Sequence, residues 1–120
     1  MHEMAICQAL LEQVEGIARQ HSATVSLVRI VVGPLSGVDP RLLESAFALA
    51  RAGTAAEDSE LVIEDVAVRV RCRSCGAEST ASAKRLLCGT CGDWHTELTS
   101  GDELLLLQVE LSREIDAVTV

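Results

Sequence analysis

Cys72-Arg73-Ser74-Cys75-Gly76 and Cys88-Gly89-Thr90-Cys91-Gly92 repeat one short pattern, with twelve residues, Gly76 to Leu87, between Cys75 and Cys88. Each C-x-x-C-G can fold into a tight knuckle that turns two sulfurs toward one point. The glycine after the second cysteine tolerates φ > 0 and frees backbone N–H groups to donate to sulfur. Two facing knuckles offer tetrahedral coordination by four sulfurs, the closed geometry of structural zinc. The loop is a little shorter than the usual spacing of roughly fifteen to twenty residues, but two hairpin strands can span it. A thioredoxin-like redox pair would be a single C-x-x-C at a strand–helix junction. Iron takes the same four sulfurs, so the ligands alone leave iron, and disulfides, open beside zinc. Zinc is the expected ion. A zinc ribbon is a scaffold and fixes no function.

Upstream, Val66, Val68 and Val70 alternate with Ala67, Arg69 and Arg71, which predicts a half-exposed strand running into Cys72. From Cys72 to Gly101 the residues are small and polar, too few of them apolar to hold a core by burial alone. Glu103 to Leu111 reads as a strand again, with four leucines from Leu104 to Leu107. That run predicts either a well-buried edge or an association surface. Ser112 to Val120 reads as a frayed end.

Toward the amino terminus, Met4, Cys7, Leu10, Leu11, Val14, Ile17 and Ala18 recur at steps of three and four, predicting an amphipathic helix from Met4 to His21. Thr24 to Val32 is apolar and β-branched, which predicts a strand buried on both faces. Gly33-Pro34-Leu35-Ser36-Gly37 makes a loop. Asp39 as N-cap and Pro40 at the first helical position then open a second helix, with Gly53 as its expected C-terminal cap. Leu61 to Ile63 adds a short strand. The fold class is therefore α+β. A small sheet packed with two helices (1–66 and 102–120) carries an inserted zinc-ribbon-like domain with four cysteines (67–101).

The composition excludes several functions. The chain has 120 residues, room for one domain with a small insertion, and 48% of them are hydrophobic, which rules out wholesale disorder. Phe47 and Trp94 are its only aromatics, too few for platforms that stack bases, and a net charge of −8 repels phosphate backbones. No nucleic acid is expected. With no apolar stretch of about 18 residues and no basic–apolar leader, neither membrane nor export is expected, and the default location is cytoplasmic. No Ser/His/Asp set, H-E-x-x-H or phosphate-binding Gly loop is present, and an all-cysteine site leaves no open position. Catalysis is not expected.

Half of the ten basic residues, Arg69, Arg71, Arg73, Lys84 and Arg85, crowd the cysteine segment. They offset the charge of four thiolates, or they form a docking patch for an acidic partner; nucleic-acid binding is the weakest of the three readings. His2 and Glu3 follow the start Met. The α-amine ordinarily titrates at about 7.7–8.0 and imidazole at about 6.5, so both can be neutral donors near neutral pH. Amine, His2 amide nitrogen and His2 imidazole can close fused chelate rings, a nitrogen set that suits Ni(II) or Cu(II) better than Zn(II). The positive end of the helix opposes a cation there, and the Glu3 carboxylate or amide deprotonation would have to offset it. A solvated terminal histidine is the plainer reading of these residues. Cys7 reads as a core thiol, His21 as a helix C-terminal residue and His95 as a solvated loop histidine.

Met1-His2-Glu3-Met4, Val32-Gly33-Pro34-Leu35-Ser36-Gly37-Val38, Ala46-Phe47, the two knuckles, Gly101-Asp102-Glu103-Leu104 and Val109-Glu110 occur in that order. In that order they closely resemble the HypA/HybF family of nickel metallochaperones for hydrogenase maturation, from residue 1 to about residue 111. The resemblance implies Ni(II) cargo on Met1, His2 and Glu3, and structural Zn(II) on Cys72, Cys75, Cys88 and Cys91. It also implies delivery to the large subunit of [NiFe] hydrogenase together with a nickel GTPase, and in some cases service to urease maturation proteins. Asp39 stands where the family commonly has Glu; its carboxylate could reach a metal at the first residues, although helix capping explains it more simply. A homodimer stays open. The competing reading is a zinc-ribbon protein–protein adaptor without nickel delivery.

Overall fold

The computed structural model describes residues His2–Ser112. Met1, one of the expected nickel ligands, and residues 113–120, most of the expected frayed end, lie outside the described residues. The elements run α1 (His2–Gln20), β1 (Thr24–Val32), α2 (Pro40–Ala50), β2 (Glu60–Glu64), β3 (Arg69–Cys72), β4 (Glu78–Thr80), β5 (Thr96–Ser100) and β6 (Leu104–Ser112). The strands form two three-stranded sheets, ordered β2-β1-β6 and β4-β3-β5. This is the expected α+β class, a small sheet with two helices plus a ribbon carrying four cysteines. Two compact units emerge: one comprises the chain up to Ile30, Asp39–Ile63 and the residues from Leu106, the other Val31–Val38 and Glu64–Leu105.

In the first unit α1 buries Cys7, Leu11, Val14 and Ala18, the i, i+4, i+7, i+11 face that the sequence pattern marks, and Glu3 one turn earlier. It packs against α2, which buries Leu43, Ala46 and Phe47. Each large aliphatic side chain removed from water this way contributes about 1.5–3 kcal/mol. Cys7 is fully buried, and its thiol donates to the Leu43 carbonyl at 3.4 Å, so it is the core thiol expected. Asp39 caps α2 as expected, its carboxylate accepting the Arg41 N–H at 2.9 Å. The helix ends earlier than Gly53, however: Arg51 is the C-cap, donating its N–H to the Phe47 carbonyl. Gly53, with φ of 77°, serves the turn beyond.

β1 is the central strand, but it is not buried on both faces. Val25, Val28, Ile30 and Val32 are buried, while Leu27, Arg29 and Val31 between them are only half-buried. Thr24 and Ser26 are exposed and turn their hydroxyls to β6, donating to the carbonyls of Ser112 (2.9 Å) and Glu110 (3.1 Å). Residue numbers rise along β1 as they fall along β6, so the two strands are antiparallel. Ser112 is thus a paired strand residue and not part of a frayed end. β6 is the sheet edge, and its leucines are not buried there: Leu104, Leu105 and Leu107 are 39%, 53% and 51% exposed.

In the second unit β3 pairs antiparallel with both neighbours, Val70 opposite Ser79 on β4 and Leu98 on β5. Val70 and Cys72 point inward, Arg69 and Arg71 outward. The strand begins at Arg69 and not at Val66. Val68 is committed elsewhere: its carbonyl accepts the Ala81 N–H at 2.8 Å, and Gly101 packs so closely on it that a Cβ there would meet Val68 Cγ2 at 3.0 Å. Gly33 faces a tighter approach, for a Cβ would fall 2.2 Å from the Gly101 carbonyl oxygen. Glycine at Gly33 lets the Leu35 N–H reach that same oxygen at 2.7 Å.

Candidate metal centres

The end of β3 delivers Cys72, and the chain turns at once through Ser74 to Gly76, whose φ of 77° reverses it. The second knuckle repeats the device with Gly92 at φ 78°. In both, the glycine N–H donates to the carbonyl of the first cysteine at 2.9 Å. This exposes further amides to sulfur: Cys75 N–H donates to Cys72 Sγ at 3.4 Å, while Thr90 and Cys91 N–H donate to Cys88 Sγ at 3.3 and 3.4 Å. Ser79 on β4 holds the second knuckle by accepting the Gly89 N–H at 2.8 Å.

The four sulfurs converge within 4.8 Å of one another, Cys72 to Cys91 and Cys75 to Cys88 each at 3.6 Å. None is in a disulfide. Four sulfurs on tetrahedral zinc, with Zn–S of about 2.3 Å, stand about 3.8 Å apart, so the residues fit that ion. Their acidities point the same way. The Cys91 and Thr90 amides hold the Cys88 thiol down at about 6, and the Cys75 and Ser74 amides lower Cys72. Cys91, despite the Asp93 N–H that favours its thiolate, is pushed up to about 12 by Cys72, burial and the other sulfurs. Two sulfurs, Cys72 and Cys88, ionise readily and the other two, Cys75 and Cys91, resist, because thiolates this close repel unless a cation joins them. Metal binding therefore releases protons.

One constellation here was not legible as a motif. Asp93 follows the second knuckle, and one of its carboxylate oxygens accepts the hydroxyl of Ser74 in the first. Its other oxygen accepts the His95 amide at 3.0 Å and His95 Nδ1–H at 2.8 Å. These donors, Ser74 first, hold Asp93 well below the usual carboxylate range. His95 is thus exposed but not simply solvated. His21 matches its expected role, its Nδ1 2.9 Å from the Ile17 carbonyl at the end of α1.

At the other candidate site, α1 begins at His2, earlier than expected, so the His2 backbone is already in the first turn, where N–H groups lack intrahelical acceptors. The imidazole is exposed, and its Nε2 lies 3.3 Å from Glu3 Oε2. The Glu3 carboxylate, only 9% exposed, also accepts the Asp39 N–H at 3.4 Å. His2, Glu3 and Asp39 therefore come together, but Asp39 joins through its backbone while its carboxylate caps α2. Its own amide, then the Asp39 amide and His2, lower the Glu3 pKa against the cost of burial.

A carboxylate with a lowered pKa in the fold stabilises it above its ordinary value, about 4.5 here, and that stability is lost as pH falls through the lowered value. Below pH 4.5, wild type is expected to lose urea resistance in its helical signal faster than Glu3→Gln. Parallel acid limbs for the two proteins would show that Glu3 makes no such contribution.

The chain matches, over residues 1–111, the family model described as HypA, hydrogenase/urease nickel incorporation, metallochaperone. It is 48% identical over 112 residues to the hydrogenase maturation factor HypA of Nitrosospira multiformis, covering 92% of this chain and 97% of that one. To the HypA of Aquifex aeolicus it is 41% identical, covering 97% of this chain and all of the relative. Among solved structures it resembles the Ni metallochaperone HypA from Helicobacter pylori, with a TM-score of 0.66, 27% identity and coverage of 93% and 98%. A second HypA solution structure gives a TM-score of 0.72 at 27% identity, with coverage of 95% and 98%.

Proposed function

The chain belongs to the HypA family of metallochaperones for hydrogenase and urease nickel incorporation, maturation factors and not enzymes, and on that premise we propose that it carries Ni(II) on its amino terminus. Met1 amine, His2 amide and His2 imidazole supply the nitrogens. Glu3 supplies the negative charge that a cation at a helix N-terminus needs. Zn(II) on Cys72, Cys75, Cys88 and Cys91 is structural and holds the inserted domain, 67–101, while the nickel-binding domain comprises 1–66 and 102–120. The nickel goes to the large subunit of [NiFe] hydrogenase with the help of a nickel GTPase. The chain works in the cytoplasm; none of its described helices is long and apolar enough to cross a membrane.

The observation that carries this reading is the position of His2, exposed on the first turn of α1 with the buried Glu3 carboxylate 3.3 Å from its ring. A delivery site must bind well enough to hold nickel and openly enough for a partner with more donors to take it. An exposed terminal chelate does both, whereas the closed four-sulfur site does not release its ion readily. Asp39 caps α2 through Oδ1, so it enters as an additional ligand through its other oxygen or by leaving its cap. Because amine and imidazole bind metal only when deprotonated, nickel affinity is expected to fall by at least about tenfold between roughly pH 8 and pH 5.5. Competition titrations with zinc-loaded protein measure it. A flat profile would remove the terminal nitrogens as ligands and leave the adaptor reading.

A further inference from the structure

Trp94, the one tryptophan of the chain, stands 70% exposed on the knuckle unit. It is not a loose side chain. Its ring stacks on His95 with centroids 3.8 Å apart and 29° between planes. His95 is fixed by Asp93, and Asp93 by Ser74 of the opposite knuckle, so the closure of the sulfur site sets the indole. A large apolar side chain already held in place loses little rotamer freedom on binding, and tryptophan is among the residues that carry most of the energy of protein interfaces.

The surroundings are basic. The Arg73 N–H donates to the His95 carbonyl at 2.8 Å, and the Thr96 hydroxyl donates to the Leu86 carbonyl at 2.6 Å. These bonds draw Arg73 and the Lys84-Arg85-Leu86 segment toward the strand that follows Trp94. Leu86 is 37% exposed. Arg69 is engaged by Thr80 and Arg71 by Glu78, but Arg73, Lys84 and Arg85 are exposed without an ion pair among the described residues. Between Arg69 and His95 five basic residues face Glu78, Asp93 and the two net negative charges that four thiolates keep on a dication, so this segment stays slightly positive in a chain whose net charge is −8.

We infer that this face docks an acidic segment of a partner protein that carries an aliphatic side chain, with Trp94 as anchor and Arg73, Lys84 and Arg85 framing it. Charge complementarity selects the partner. The framing cations steer an acidic segment and fix its register, while the apolar contact on the indole supplies affinity. A nucleic acid suits the surface less well, since a lone indole makes no platform for successive bases and the acidic remainder repels a long polyanion. The inference goes beyond nickel carriage and does not depend on it.

The test titrates zinc-loaded full-length protein with a fluorescein-labelled synthetic peptide of about a dozen residues, rich in Glu with one central Leu, at low salt. Trp94 emission is expected to shift to the blue and saturate, with a Kd below about 1 mM, and binding is expected to weaken as salt rises. Label anisotropy should show about tenfold weaker binding for Trp94→Ala, and for Arg73→Glu with Arg85→Glu. Retention of one zinc per chain reports that these variants are folded. No saturable shift, equal binding of the same peptide with Lys for Glu, or an unaffected Trp94→Ala each overturns the inference. So does tighter binding of an RNA oligonucleotide of similar length, or burial of Trp94 by self-association alone. Nickel content is unchanged in every case, so failure here leaves the nickel reading standing.

Discussion

Removal of the metal from the four cysteines is expected to unfold the knuckle ribbon while leaving the helices folded. The ribbon has little else to hold it. β3 contributes Val70 and Cys72 to its interior, β4 is three residues long and half-exposed, and β5 buries no residue fully. Structural zinc in small Cys-rich folds is bound with about 10–16 kcal/mol of apparent free energy, and that binding free energy is also folding free energy. Chelation, or the pair Cys72→Ser and Cys88→Ser, which removes the two most acidic sulfurs, should therefore collapse amide protection across Arg69–Ser100. Protection in α1 and α2 should change by no more than a few-fold, because Cys7, Leu11, Val14, Leu43 and Phe47 form their own apolar core. Hydrogen-exchange mass spectrometry resolves the two segments. Cys7→Ser is the control, since Cys7 lies outside the sulfur cluster and should leave one zinc per chain. Retained protection over Arg69–Ser100 without metal would mean that the sulfur site is not what holds the ribbon.

The same contrast explains which features the sequence announces. A C-x-x-C-G knuckle is local: the glycine at positive φ, the amides on sulfur and the direction of both thiols are set within five residues. The α1 face is legible for a similar reason, because helical geometry alone brings Cys7, Leu11, Val14 and Ala18 into line. Contacts between distant residues leave no such trace. Ser74 and Asp93 are nineteen positions apart and meet only because the sulfur site closes, and Glu3 and Asp39 are thirty-six apart. Leu104 to Leu107 misleads for another reason. An unbroken apolar run has no period, so its burial depends on what stands beside it, and β6 lies at the margin of its sheet. The burial expected for both faces of β1 fails in the same way.

Extending the chain by a few residues before Met1 is expected to weaken Ni(II) binding by at least about a hundredfold, roughly 2.8 kcal/mol, with zinc and fold unchanged. The proposed chelate depends on a free amine. Two rings share the His2 amide nitrogen, one closing on the amine and one on the imidazole, and an added peptide bond converts the amine into an amide that holds its proton at neutral pH. What remains is the exposed His2 imidazole and the Glu3 carboxylate, which still offsets the positive end of α1 but cannot replace the lost amine and its chelate ring. His2→Ala should cost a comparable factor, whereas His21→Ala and His95→Ala should cost almost nothing, since those rings are engaged with the Ile17 carbonyl and with Asp93. Isothermal titration of the zinc-loaded proteins measures all four variants. If the extended chain binds nickel as the unextended chain does, the metal sits elsewhere, and the His95 and His21 variants identify which ring holds it. If neither chain takes up nickel, the zinc-ribbon adaptor becomes the better account, and the basic face around Trp94 becomes the surface through which it acts.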